Sequence, residues 1–322
     1  MAVAELTREQ LLTPQETSQL QLVWERFRKH RLAVVGVVVL LSLYLFAFAG
    51  PLVSPYDPET QFIAQENGVP TLKNLFGTDE LGRDVMTRLM YAGRISLVLS
   101  VVVTFGAILI GVAVGAVSGY FGGWVDTLAM RFVDFMLTLP LLPLLLILSA
   151  MNQRGGLPID VPDFMNAFFA WVWSMSPDRA EGVLILGAIL VLFNWMSVAR
   201  LVRGQILALR NMEFTDAARA LGASPWRIIT RHMIPNALAP IIVQATFDFG
   251  SIIVLEAALS FVGFGVQPPS ASWGNMLNNV RDFMLVQPWR AFVPGLAIFL
   301  ASISYNFVGD ALRDALDPRL KL

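Results

Sequence analysis

The sequence predicts an all-α, polytopic membrane protein with six transmembrane helices. Three observations carry this reading. Of the 322 residues, 56% are hydrophobic and only 15% charged, with mean hydropathy +0.62; a soluble domain carries about 25% charged residues. The charges are clustered and leave uncharged runs at 32–53, 95–124, 135–153, 182–199 and 291–309. A bilayer core of about 30 Å needs roughly 20 apolar helical residues, so each run is a candidate span, and 240–263 is a sixth that contains Asp248 and Glu256. Lastly, placing the N-terminus inside and alternating leaves 15 of the 23 Lys and Arg inside and 8 outside, the bias expected of cytoplasmic loops.

Residues 1–31 form a cytoplasmic N-terminal segment in which Leu20, Trp24 and Phe27 recur at i, i+4 and i+7 beside Arg26, Arg28, Lys29 and Arg31. An amphipathic helix on the membrane surface and a short stop-transfer flank both fit. The run 32–53 is about twice a signal-peptide core and lacks a clear cleavage site, so it reads as a retained first span. Residues 54–94 form an external loop. Its Asp79, Glu80, Arg83 and Asp84 suit an external protein or a cation, or else a solvated turn with internal ion pairs. In the second span Gly111, Gly115 and Gly119 recur every four residues, a spacing that lets two helices approach closely.

The run 164–177 is too short to cross comfortably and is rich in aromatics (Phe164, Phe168, Phe169, Trp171, Trp173). It reads as interfacial or re-entrant, because a seventh span would move the basic C-terminal tail outside. Between spans four and five, 212–236 is too polar to cross. Phe214, Ala217, Ala218 and Leu221 form one apolar stripe, Gly222 stands where a C-cap glycine belongs, and Ser224-Pro225 opens a second helix leading into span five. Such a small helix docks on a partner or folds back on its own bundle.

Charges at membrane depth are functional candidates by default. Asp248 and Glu256 read as a polar wall of a translocation path or as packing contacts, with a loop arginine as partner for Glu256. Asn194, Tyr305 and Asn306 read first as helix-to-helix bonds, and Asn194 is also a candidate for the path.

Other chemistry is excluded by what is missing. There is no cysteine, and His30 and His232 are the only histidines, so disulfides, thiolate metal sites and multi-histidine sites are ruled out. Lys29, Lys73 and Lys321 follow Arg28, Leu72 and Leu320, so no lysine sits in a glycine-rich phosphate loop. The net charge of −1 gives no field for nucleic acid.

Asp216-Ala217-Ala218, then Gly222, then Ile234-Pro235 resembles the EAA loop of ABC-importer permease subunits, with Asp216 where glutamate is commonest. The stretches 76–84 and 93–97, 259–269 with Ser272-Trp273-Gly274, and 309–319 resemble the dipeptide/oligopeptide/nickel branch, and within it the "C" partner of the permease pair; Arg28-Lys29-His30-Arg31 fits too. Residues 95–322 would then be the permease core, with a coupling loop at 204–236 and an external insertion at 152–181 that matches nothing clearly. The resemblance implies a six-helix importer subunit in a bacterial or archaeal cytoplasmic membrane, with both termini inside. It is not an enzyme and binds no cofactor, ATP and Mg belonging to partner chains. Glu213, Phe214, Asp216, Ala217, Ala218, Leu221 and Gly222 would couple it to the ATPase. The implied partners are a second homologous permease, two ATP-binding subunits, an extracytoplasmic binding protein and membrane lipid. Peptide is the first expectation for cargo, with nickel chelates, glutathione or oligosaccharides as alternatives. An ion-gradient-driven transporter lacks its inverted repeat here, and an intramembrane protease would need Asp248 and Glu256 to meet.

Overall fold

A computed structural model describes residues 19–62, 66–155, 157 and 159–316. The start of the predicted amphipathic segment and the end of the basic tail, with Arg8, Arg319 and Lys321, lie outside the described residues. The helices are α1 (Gln19–Lys29), α2 (Arg31–Phe48), α3 (Gly50–Val53), α4 (Val85–Phe121), α5 (Gly123–Thr138), α6 (Leu141–Gln153), α7 (Asp163–Trp173), α8 (Pro177–Arg210), α9 (Glu213–Ala220), α10 (Pro225–Ile228), α11 (Ile234–Phe261), α12 (Trp273–Asn279) and α13 (Pro288–Leu316). A π-helical turn, Ile229–Met233, joins α10 to α11. Five helical units are long and apolar enough to cross a bilayer: α2, α4, α8, α10–α11 and α13. The described chain ends and α9 share one pole, here the terminal pole; the loops before α4 and after α11 form the opposite, loop pole.

The second span starts earlier than its apolar run. Asp84 caps α4, its carboxylate accepting from the Thr87 backbone N–H at 2.7 Å and the Thr87 hydroxyl at 2.7 Å. Satisfying an orphan N–H in this way fixes a helix start. α4 therefore takes Arg88 and Arg94 into its first turns, both buried, and the loop before it ends at Asp84. Arg94 donates to the carbonyls of Ala47 (2.9 Å) and Phe48 (3.2 Å) at the end of α2, where a cation complements the helix dipole.

The cluster singled out in that loop is not a solvated turn: Asp79, Arg83 and Asp84 are buried, and Glu80 is partly so. Arg83, Arg88 and Arg290 are 4%, 2% and 1% exposed. Arg83 Nε donates to Asp79 at 2.7 Å, Arg88 Nε lies 3.4 Å from the same carboxylate, and Arg290 pairs with Glu80 at 3.1 Å. Arg290 also donates to Asn67 Oδ1 at 2.7 Å. Three arginines thus face Asp79 and Glu80, with Asp84 beside them, and join the loop to the loop-pole ends of α4 and α13.

The glycine stripe of α4 is a packing seam. A Cβ at Gly111 would lie 2.6 Å from Val198 Cβ, one at Gly115 2.4 Å from the Ala199 carbonyl, and one at Gly119 3.0 Å from the Arg203 carbonyl. Only glycine lets the two backbones come this close. Farther up the pair, Leu99, Val103, Leu186 and Leu190 fill the core.

The third span is not straight. α5 and α6 meet at 85°, because Pro140 drives Leu139 to an extended ψ of 139° and has no N–H to continue the ladder. The pair still runs from pole to pole. Asp126 on α5 holds Arg203, near one end of α8, at 2.5 and 2.6 Å. Asn152 on α6 donates to the Gly182 carbonyl, near the other end, at 3.3 Å. The bent pair is thus the sixth crossing.

Within 152–181, α7 is anchored to the bundle by a few buried residues. Ala170 and Trp173 of α7 are buried in the α4–α8 core. Arg94 donates to the Ser174 hydroxyl and Arg179 pairs with Glu59. An 11-residue helix spans only about 16 Å, so α7 does not cross; it leaves Phe164, Phe168 and Trp171 exposed. At the terminal pole α1 packs against α13, and His30 Nε2 lies 3.1 Å from Asp314. Tyr305 bonds helix to helix as expected, its hydroxyl 2.8 Å from that of Tyr44 on α2.

Two outcomes check this packing. Gly115→Val should lower the thermal stability of the purified protein by about 1–3 kcal/mol through overpacking, whereas Gly204→Ala, where a Cβ meets nothing within 4 Å, should not. Asp79→Asn should cost about 3–5 kcal/mol by leaving two buried guanidinium groups short of a carboxylate, read as an earlier melting transition than that of the exposed control Asp310→Asn.

Candidate functional site

The segment predicted to dock is a short two-faced helix. Leu221 is the C-cap of α9, and Gly222 follows at φ +77°. The Gly222 N–H donates to the Arg219 carbonyl at 2.9 Å and the Ala223 N–H to the Ala218 carbonyl at 3.0 Å. This Schellman closure needs the left-handed residue at Gly222. Ser224 then caps α10, its hydroxyl accepting from the Arg227 N–H at 3.4 Å, with Pro225 in the first turn. Both helix boundaries read from the sequence are present.

The predicted stripe is divided, however. Thr215 and Ala218 are buried, and the Thr215 hydroxyl donates to the Leu209 carbonyl at 2.8 Å. Ala218 packs with Val202, Ile206, Ile228 and Ile229. Phe214, Ala217 and Leu221 face outward, with Leu221 88% exposed. At 3.6 residues per turn, 214, 217 and 221 share one side while 215 and 218 turn toward the bundle. The helix therefore both folds back on its own bundle and presents a separate apolar face. Glu213 borders that face, while Asp216 lies on the side away from it and pairs with Arg219 at 3.0 Å. Arg219 lies 5.8 Å from the Tyr120 ring, and Trp226 stands against Phe121 at 6.4 Å; sequence reading missed both aromatic supports, because Tyr120 and Phe121 come from the end of α4.

The three residues assigned to a path have different settings. Glu256 is 1% exposed and accepts from Ser96 at 3.0 Å and Ser260 at 2.7 Å. Ser96 also accepts from the Trp273 N–H at 3.3 Å, and Ser260 from the Val266 N–H at 3.0 Å. Glu256 thus ties α11 to α4 and to the loop that carries α12. It lines no open face, and its partners are serines, not the loop arginine expected. Asn194 donates to the Leu190 carbonyl of its own helix at 2.7 Å rather than across helices. Asp248 accepts from Gln244 at 2.8 Å, while its other oxygen is buried without a partner. Asp248 and Glu256 have separate partner sets, so no catalytic dyad forms. Among the described residues no group of three or more His, Cys, Asp or Glu is placed to hold a metal.

These features fit the relatives of the chain. The family described as the binding-protein-dependent transport system inner membrane component matches residues 107–322, and the N-terminal TM domain of oligopeptide transport permease C matches 18–73. The dipeptide transport system permease protein of Alkalihalophilus pseudofirmus is 37% identical, over 92% of this chain and 89% of its own length. The oligopeptide transport system permease protein of Bacillus subtilis is 34% identical, over 92% and 88%. The glutathione transport system permease protein of Pectobacterium atrosepticum is also 34% identical, over 92% and 90%. The chain belongs to the family of binding-protein-dependent transport system inner membrane components.

Proposed function

We propose that this chain is one membrane-spanning permease subunit of an ATP-driven importer of di- and oligopeptides, with its terminal pole in the cytoplasm. The basic residues Arg26, Arg28 and Lys29 of α1 and the exposed face of α9 share that pole, which supports the orientation. The dipeptide and oligopeptide permeases among its relatives support the cargo. In this reading the partners are a second homologous permease, two ATP-binding subunits that hold ATP and Mg, and an external binding protein.

The observation that carries the reading is the division of α9. Its inner face, Thr215 and Ala218, is packed onto α8 and α10, so force applied to the helix passes directly to the spans. Its outer face, Phe214, Ala217 and Leu221, is apolar and unoccupied among the described residues, suited to a groove on a partner ATPase. Closure of the ATPase pair would then move α9, the π-helical turn and α11 as one body, switching the pathway between its two sides.

Ala217→Arg and Leu221→Asp test this, since both change only the outer face, whereas Ala218→Arg would also break the packing under α9. Each should reduce binding-protein-stimulated ATP hydrolysis and uptake about tenfold or more, the worth of an interface hot spot, with insertion and thermal stability kept. Undiminished stimulation in both variants would sink the docking role of α9.

A further inference from the structure

At the terminal pole, α8, α11 and α13 line an open cavity of about 700 Å³. Most of its wall is apolar, but its polar groups have spare bonding capacity. Gln205 of α8 makes no hydrogen bond among the described residues. Gln244 of α11 uses a donor on Asp248 at 2.8 Å and leaves its carbonyl open. Pro240 lacks the N–H that would satisfy the carbonyl of Asn236, and both line the cavity. Arg313 of α13 also lines it, is exposed, and makes no ion pair among the described residues.

We infer that this cavity is a transit site that holds the main chain of the cargo peptide. The inference rests on the peptide-importer reading and adds the residues that meet the cargo. Main-chain N–H and C=O groups are common to every peptide. Side-chain amides offer both a donor and an acceptor, so Gln205, Gln244 and the bare Asn236 carbonyl can hold a peptide whatever its sequence. The apolar wall accepts varied side chains without selecting among them. Arg313 offers a guanidinium to the C-terminal carboxylate of a peptide.

The test uses the complete importer in proteoliposomes, with its binding protein and tri-alanine as the probe. Gln205→Leu should lower tri-alanine uptake per ATP hydrolysed by roughly two- to tenfold, the worth of one net hydrogen bond. Because the chain has no cysteine, Gln205→Cys supplies the only thiol in this subunit. Tri-alanine should slow its alkylation by a maleimide severalfold, and should not slow that of Leu109→Cys, on the exposed side of α4. Both results are required; an unchanged uptake ratio or an unprotected thiol overturns the transit site. If the wild-type complex takes up no tri-alanine at all, the peptide reading itself fails and the inference falls with it, a result distinct from normal uptake through an unprotected cavity.

Discussion

The fold depends on the contact between the backbones of α4 and α8. Where Gly111, Gly115 and Gly119 face Val198, Ala199 and Arg203, α4 places no side chain between the two helices. In lipid there is no water-driven force to hold helices together, so close van der Waals packing has to supply the attraction. Other elements are placed by reference to this seam. The bent α5–α6 pair is pinned to α8 at both ends. α7 inserts Trp173 into the α4–α8 core, and α9 and α10 pack against the far end of α8 through Ala218 and Ile228.

The two poles are built by different means. The loop pole is closed by buried arginines and carboxylates, by the serines around Glu256, and by Trp273, whose indole donates to the Leu89 carbonyl at 3.2 Å. Such networks resist deformation, since parting any pair exposes a charge to an unfavourable setting. The terminal pole has surface ion pairs such as Arg200–Asp134, an open cavity and an exposed apolar helix. The rigid pole surrounds the insertion and the loops; the yielding pole carries the parts a partner would grip.

Much of this was legible in the sequence. Six crossings, the helix pair around Gly222, Ser224 and Pro225, and the packing role of the glycines follow from hydropathy, capping chemistry and spacing. What hydropathy misread were charges that are neutralised in place. Arg88 and Arg94 look like loop residues because their partners, Asp79 and the Ala47 carbonyl, cannot be seen from their own neighbourhood. The bend at Pro140 was visible as a residue but lost in a scale that averages over a window. Glu256 is legible as a charge at membrane depth, but its partner Ser96 is on another helix, and only the fold brings the two together. In α9 the helix and its end at Gly222 are legible and the face is not, since Ala218 differs from Ala217 only in which way the helix turns it.

The π-helical turn at Ile229–Met233 has a consequence for how this region tolerates change in length. Such a turn holds one residue more than the α-helix it interrupts, and each residue advances the helix by about 100°. α9 and α10 are therefore out of angular phase with α11 by that amount, and the outward aim of Leu221 depends on it. Deleting a single residue from the turn would leave a continuous helix with every other side chain intact, yet would rotate α9 about the axis of α11 and point its apolar face elsewhere. The orientation of α9 is thus set here by a count of residues, so this turn is more sensitive to insertion and deletion than to substitution.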